Sequence, residues 1–288
     1  MAERILVIGN CQAPGIAQLL EHMIPGANVA NLTLNAPSEA KKELAQRLSE
    51  FDLVFAQPHR EEVAGPLAFR ELQSHHARVV LYPRIIFGGF HPDFIDCSGI
   101  KGAESAASNY HSLIVAAAYV NGVPVKEVEK LFNRFTFARL GYFKEYENGK
   151  RFVLSKAQEL GYDLADDFVG WEATGIFMHT PNHPSLQVLA SVATKAAAMA
   201  GLRLETESAE GVQDRLEGWV RLPVYRGIAK RLNVDPQPEF TLQMRSGVRT
   251  FHLPKYITQT YALYGSASDE FFQNPRIQRV AAALREQP

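Results

Sequence analysis

The side chain with the clearest chemical potential is Cys11. It follows a short apolar, β-rich run, Arg4–Gly9, by two residues and precedes Pro14, which suits the first turn of a helix. A thiol at such a strand-to-helix turn lies among the unpaired N–H groups at the positive end of the helix. That setting stabilises a thiolate and, later in a reaction, an oxyanion. Gly9 permits a tight turn and close approach, while the Asn10 amide and the N–H groups around Gln12 are the candidate donors to developing negative charge. A lone cysteine is more commonly a small buried hydrophobe, so position rather than residue type selects the reactive reading. Cys97, in Asp96-Cys97-Ser98-Gly99, has no comparable setting and reads as structural.

A thiol nucleophile needs a base, and five of the nine histidines, His59, His91, His179, His183 and His252, fall in loop-like contexts. His183, in Thr180-Pro181-Asn182-His183-Pro184, is the first candidate because a short stiff loop holds it ahead of a helix. His91, in Gly88-Gly89-Phe90-His91-Pro92-Asp93, is the second, with Asp93 able to hydrogen-bond locally. For each, the competing reading is a ring that caps a turn or satisfies a buried carbonyl. His179 and His183 have the spacing of two metal ligands on a helix, but Pro181 and Pro184 oppose a helix, and no metal site is expected. Arg60 and Arg84 stand at strand ends, where guanidinium groups grip phosphate, unless they are simply solvated. There is no Gly-x-Gly-x-x-Gly, Gly-Lys-Ser or Gly-x-Ser-x-Gly motif, so dinucleotide, nucleoside triphosphate and serine-elbow chemistry lack their usual support.

The elements that position these residues alternate along the first hundred. Strands are predicted over Arg4–Gly9, Val29–Leu34, Asp52–Ala56 and Arg78–Tyr82, and helices over Pro14–Met23, Ser38–Glu50 and Glu61–His75. This is an α/β pattern with a mainly parallel sheet, whose ligands collect beyond the carboxyl ends of the strands. Gly9 to Gln12, Gln57 to Arg60 and Tyr82 to Arg84 fall at those ends. Residues 1–100 are therefore the core with the nucleophile turn. Residues 101–288 are expected to be a helical insertion or lid and a C-terminal segment packed on that core, in one integrated domain. Helices are predicted over Glu104–Val120, Ser185–Ala200 and Phe271–Arg285, with an irregular stretch at Pro223–Phe240.

With 30 basic and 31 acidic residues, no global charge draws the chain to nucleic acid or an anionic bilayer, so a phosphate-bearing ligand must be met by a local cluster. Two unlike cysteines suggest no disulfide framework and fit a reducing cytosol. No segment has the apolar length of a membrane span, and the N-terminus lacks a signal-peptide pattern. Phe271 and Phe272 mark either a dimer contact or, more simply, the packing of the last helix.

Three groups of residues together resemble the WcbI-type polysaccharide-biosynthesis family: Gly9-Asn10-Cys11-Gln12, Tyr82-Pro83-Arg84 through Phe90-His91-Pro92-Asp93, and Asn182-His183-Pro184. Their order and spacing match along most of the chain, less so beyond residue 200. The resemblance implies acetyltransferases of capsule assembly that bind coenzyme A. It also implies an α/β core like that of the SGNH hydrolases, with Cys11 at the position of their serine and a coenzyme A site beside it.

The expected activity is a cytoplasmic coenzyme A-dependent O-acetyltransferase acting on a sugar hydroxyl or polysaccharide precursor. Cys11, His183 and His91 would be catalytic, Asn10 and Gln12 would serve the oxyanion, and Gly9, His59, Arg60 and Arg84 would hold acetyl-coenzyme A. Exchange of one thioester for another is close to thermoneutral, so positioning and oxyanion stabilisation are what the protein must supply. A thioesterase or esterase, with water as the acceptor, uses the same apparatus. A non-catalytic ligand-binding protein of polysaccharide assembly, with an inert cysteine, is the alternative from another class.

Overall fold

The computed structural model describes residues 3–76, 78–100 and 102–286. These form two compact units, each drawn from three stretches of chain. The first comprises Met1–Ile86, Phe152–Phe177 and His183–Leu216; the second comprises Phe87–Arg151, Met178–Asn182 and Glu217–Pro288.

In the first unit β1 (Arg4–Gly9), β2 (Asn28–Thr33), β3 (Leu53–Ala56) and β4 (Val79–Leu81) make a four-stranded sheet in the order β2-β1-β3-β4. Every pairing is parallel, as the alternation of strand and helix requires. The central strands β1 and β3 are buried along almost their whole length, so they read as continuous apolar runs rather than alternating ones. Leu6, Ile8, Val54 and Ala56 face a cluster with Leu34, Leu48, Leu67 and Leu72.

The helix α1 (Ala13–Met23) follows β1, and the helix Leu186–Met199 packs along it. Gly15 lets them meet, since a Cβ there would lie 2.7 Å from Leu189 Cδ1. Two predicted helices are shorter than their patterns suggest. The helix α2 covers Ser38–Gln46, with a separate 3-10 turn at Leu48–Glu50. The span 61–75 breaks at Gly65, whose φ of 56° and following Pro66 end one helical turn before Phe69–His75 begins another.

The second unit departs further from expectation. The predicted helix over 104–120 is real only from Leu113 to Val120, where Ser112 Oγ accepts from Val115 N at 3.1 Å. Its first part is a tight turn followed by the strand Tyr110–Ser112, antiparallel to Phe94–Asp96. Ser105 Oγ donates to Tyr110 O at 2.6 Å and accepts from Ala107 N at 3.0 Å, while Ser108 adopts a φ of 61°; these local bonds outcompete alanine's helix preference.

Residues 101–288, expected to be a helical lid and a C-terminal segment, also contain strands. Glu239–Met244 is the centre of a three-stranded antiparallel sheet between Gly247–His252 and Val220–Arg221. Phe240 anchors it by stacking on Tyr256 and Phe251, with centroids 4.4 and 5.2 Å away. The last predicted helix is two, Asp269–Phe272 and Pro275–Arg285, and Phe271 is buried against His111 and Tyr264. Among the described residues, no helix is long and apolar enough to cross a membrane.

Candidate functional site

The sheet register lines up the chemistry. Ile8, Ala56 and Leu81 are successive partners across β1, β3 and β4. Cys11, His59 and Arg84 each stand three residues beyond that triplet. Three parallel strands thus deliver a thiol, an imidazole and a guanidinium to the carboxyl edge of the sheet, where open α/β sheets bind ligands. Cys11 is partly exposed, and Arg84 is exposed, as is Arg60 beyond β3.

His59 is held by its own loop, with Nδ1 3.0 Å from Gln57 O. A carbonyl only accepts, so Nδ1 carries the hydrogen and Nε2 keeps its lone pair. Burial holds the His59 pKa below its ordinary value, and the nearby Arg84 charge lowers it further. At neutral pH this ring is uncharged and able to take up a proton.

Polar side chains fix the turn that carries Cys11. Asn10 N donates to Gln57 Oε1 at 2.9 Å, and Gln12 N donates to Asn10 Oδ1 at 2.9 Å. The backbone donors expected to meet an oxyanion at Asn10 and Gln12 are therefore engaged within the loop. What Asn10 still offers is its side-chain Nδ2, which has no protein acceptor among the described residues.

The Gln12 side chain is 1% exposed and acts as a staple: Nε2 donates to Ile85 O at 2.7 Å, while Oε1 accepts from Ile85 N at 3.1 Å and from Gln57 Nε2 at 3.3 Å. Gly9 is required by the same crowding, because a Cβ there would overlap Tyr82 Oη and come within 2.7 Å of Gln57 Oε1. Tyr82 donates to Ile8 O at 3.3 Å, and burial pushes its phenol well above the ordinary range. Tyr162 ties down the neighbouring strand end by donating to Leu81 O at 2.8 Å.

His183 lies at the same end of the unit as Cys11. The helix that follows it and α1 run side by side in the same direction: Gly15 meets Leu189 near their starts, and Met23 Sδ is 3.9 Å from Thr194 Oγ1 further along. Both leads into these helices, with Cys11 on one and His183 on the other, therefore leave from one end. His183 is buried, and the start of its helix is held by Asp214 Oδ2, which accepts from Leu186 N at 2.8 Å.

His91 has a different environment. Its ring is buried in the second unit, with Nε2 3.2 Å from Leu222 O, and burial depresses its pKa to about 3. A ring bound to a backbone carbonyl and that reluctant to protonate is a weak general base. Asp93 does not serve His91 but gathers Tyr142 Oη at 2.8 Å, Ile114 N at 3.0 Å and Tyr225 Oη at 3.1 Å, and burial lifts its pKa to about 6.

His252 begins the helix Leu253–Tyr264 beside Glu239, 3.5 Å away, and the His179 carbonyl accepts from Leu222 N. Cys97 is buried, which raises its thiol pKa to about 11. Among the described residues, no group of three His, Cys, Asp or Glu side chains is placed to hold a metal ion. The roles that sequence reasoning missed are those of Gln57 and Tyr82, each a buried polar side chain immediately before a proline at a strand end; that Gln-Pro and Tyr-Pro pairing was the available signal.

Residues 4–205 match the family model described as polysaccharide biosynthesis enzyme WcbI. No curated protein matches the chain. A solved structure of WcbI, described as a novel polysaccharide biosynthesis enzyme, aligns with a TM-score of 0.75 at 16% identity, covering 99% of each chain. It is described as the native protein without a disulfide bond between coenzyme A and one of its cysteines.

Proposed function

Because the chain belongs to the WcbI family of polysaccharide biosynthesis enzymes, we propose that it transfers an acetyl group from coenzyme A to a sugar hydroxyl, with Cys11 as nucleophile. The observation that carries this reading is the row of Cys11, His59 and Arg84 on the carboxyl edge of the sheet. It is supported by the mention of coenzyme A and a cysteine together in the solved WcbI structure. Cys11 occupies the position that a nucleophile takes after the first strand in an SGNH-like arrangement. A cytoplasmic setting keeps its thiol reduced.

In this reading Cys11 gives its proton to an imidazole, His59 or His183, its Sγ attacks the thioester carbonyl, the bond from that carbon to the coenzyme sulfur breaks, and the imidazolium returns the proton to the departing thiolate. The acceptor hydroxyl then attacks the acetyl-cysteine. Its proton passes to an imidazole, His59 or His183, and the Cys11 thiol is restored. Asn10 Nδ2 supplies the oxyanion contact that the engaged N–H groups of Asn10 and Gln12 cannot. Arg60 and Arg84 suit the coenzyme's phosphates, because their exposed guanidinium groups form no ion pair among the described residues. Gly9, the remaining residue proposed for the coenzyme site, acts indirectly, by leaving room for the Tyr82 and Gln57 side chains that fix the Cys11 turn. His91 is assigned to the scaffold.

The test is acetyl-coenzyme A added to the purified protein without acceptor, followed by peptide mass spectrometry. One acetyl group should appear on the peptide containing Cys11 and none on that containing Cys97. A sugar hydroxyl should discharge it faster than water does; faster discharge by water alone would mean a hydrolase. If Cys11→Ala protein releases coenzyme A from acetyl-coenzyme A at the parental rate, the nucleophilic role is lost. If the chain retains neither coenzyme A nor its acetyl ester, the whole assignment fails.

A further inference from the structure

The second unit contains a cavity of about 640 Å³ walled by two short helices, Arg134–Arg139 and Arg226–Leu232. Its volume lies in the range of small-molecule sites. Four of its lining side chains, Arg134, Arg226, Lys230 and Arg231, are basic, and none is acidic. All four are exposed, and none forms an ion pair among the described residues.

Helix electrostatics account for only half of this charge. Lys230 and Arg231 sit in the last turn of their helix, where the macrodipole favours cations. Arg134 and Arg226 are each the first residue of a helix, where it opposes them. Arg226 and Lys230 are also four residues apart, a spacing at which like charges repel. An anion held among these groups would relieve every one of these repulsions.

Three of the other five lining residues are aromatic. Phe132 and Phe143 are half-buried, and Phe137 between them is fixed by stacking on Tyr225 at 5.8 Å. Gly227 keeps the basic helix against that ring, since a Cβ there would lie 3.1 Å from Phe137 Cδ2. Cations beside half-buried aromatic rings suit a ligand that joins phosphates to a flat, apolar group.

We propose that this cavity binds a nucleoside diphosphate, with its phosphates among Arg134, Arg226 and Lys230 and its base against Phe132 and Phe143. The ligand is the nucleotide of an activated sugar, since the coenzyme's phosphates are assigned to Arg60 and Arg84. The site is argued without reference to Cys11, so Cys11→Ala protein should bind ADP and UDP equally well, and a failure of the acyl-transfer reading leaves it intact.

Calorimetric titration of the full chain with inorganic pyrophosphate, adenosine, ADP, UDP and coenzyme A tests it. ADP or UDP should bind at least about tenfold more tightly than pyrophosphate or adenosine. Added salt should weaken that binding. Arg226→Ala/Lys230→Ala should reduce affinity by about tenfold or more, and Phe143→Ala should bring the nucleotide down to the level of pyrophosphate, with circular dichroism checking that each variant is folded. Binding of UDP undisturbed by coenzyme A supports an activated sugar as the ligand; displacement of the bound nucleotide by coenzyme A would overturn that assignment. The proposal is overturned if neither nucleotide binds at millimolar concentration, if pyrophosphate binds as well as both, or if the double variant and the single variant Lys230→Ala both bind unchanged.

Discussion

Replacing Gln12 by alanine tests whether the Cys11 turn is held as described. The substitution removes three hydrogen bonds, two to the backbone of Ile85 and one to Gln57. Ile85 is 1% exposed, so its N–H and C=O cannot turn to bulk water when the side chain is lost. At about 1 kcal/mol net for each bond, the loss is about 3 kcal/mol. A water entering the vacated space would reduce it, and an unsatisfied Ile85 pair would raise it. For a chain of this size the corresponding fall in Tm is roughly 6–12 °C.

The assay is urea unfolding followed by far-ultraviolet circular dichroism, comparing midpoints at unchanged slope. Gln12→Glu is the companion variant: it keeps the shape but replaces the Nε2 donor with an oxygen facing Ile85 O, so it should be at least as damaging near neutral pH. A Gln12→Ala protein within about 0.5 kcal/mol of the parent would refute the staple, because even one of the three bonds should cost that much.

Two further outcomes follow from the packing and the buried charges. Gly9→Ala should cost about 1–3 kcal/mol by overpacking against Tyr82 and Gln57, and Tyr82→Phe should recover part of that loss; strictly additive effects in the double-mutant cycle would contradict the contact. Acid should destabilise the chain. As pH falls through 6.5, the unfolded state takes up protons that buried His91 and His111, with pKa values near 3 and 4, refuse in the fold, and each removes about 1.4 kcal/mol per pH unit. Asp93 opposes them, because its carboxyl, raised to about 6, is protonated first in the folded state and returns a similar amount between its folded and unfolded values. Asp93→Asn should therefore steepen the loss of stability measured by urea midpoints between about pH 6 and pH 4, and an unchanged slope would count against this account.

The parallel sheet and the Cys11 turn were legible because they are local. Each apolar run ends where a Gly, Pro or polar residue stops it, and strand alternates with helix through residue 81. His59 and Arg84 were legible as strand-end residues, but their alignment with Cys11 depends on register, which appears only when the strands are paired. Gln57 and Tyr82 were placed at strand ends but given no role of their own, because a polar residue ahead of proline reads as the start of a loop, although both side chains are buried.

The partner of His91 is Leu222, 131 residues away, so no nearby pattern could foretell that hydrogen bond. The hairpin at 239–252 was hidden differently: Phe240 and Leu242 alternate inward, but Pro236-Gln237-Pro238 just before them suggested irregular chain. The alanine-rich stretch before Leu113 misled because composition favoured helix while Ser105 and Ser108 had already committed the backbone to a turn.

Gly15 has a wider consequence for the chemistry. The missing side chain sets the gap between two neighbouring rods, one leading back to the sulfur and the other to an imidazole. A larger residue there would wedge the rods apart and shift those two leads relative to each other, without altering any group that reacts. If acyl transfer runs through that sulfur and that imidazole as proposed, their spacing can thus be retuned from a position between two helices, by changing a distance instead of a reagent.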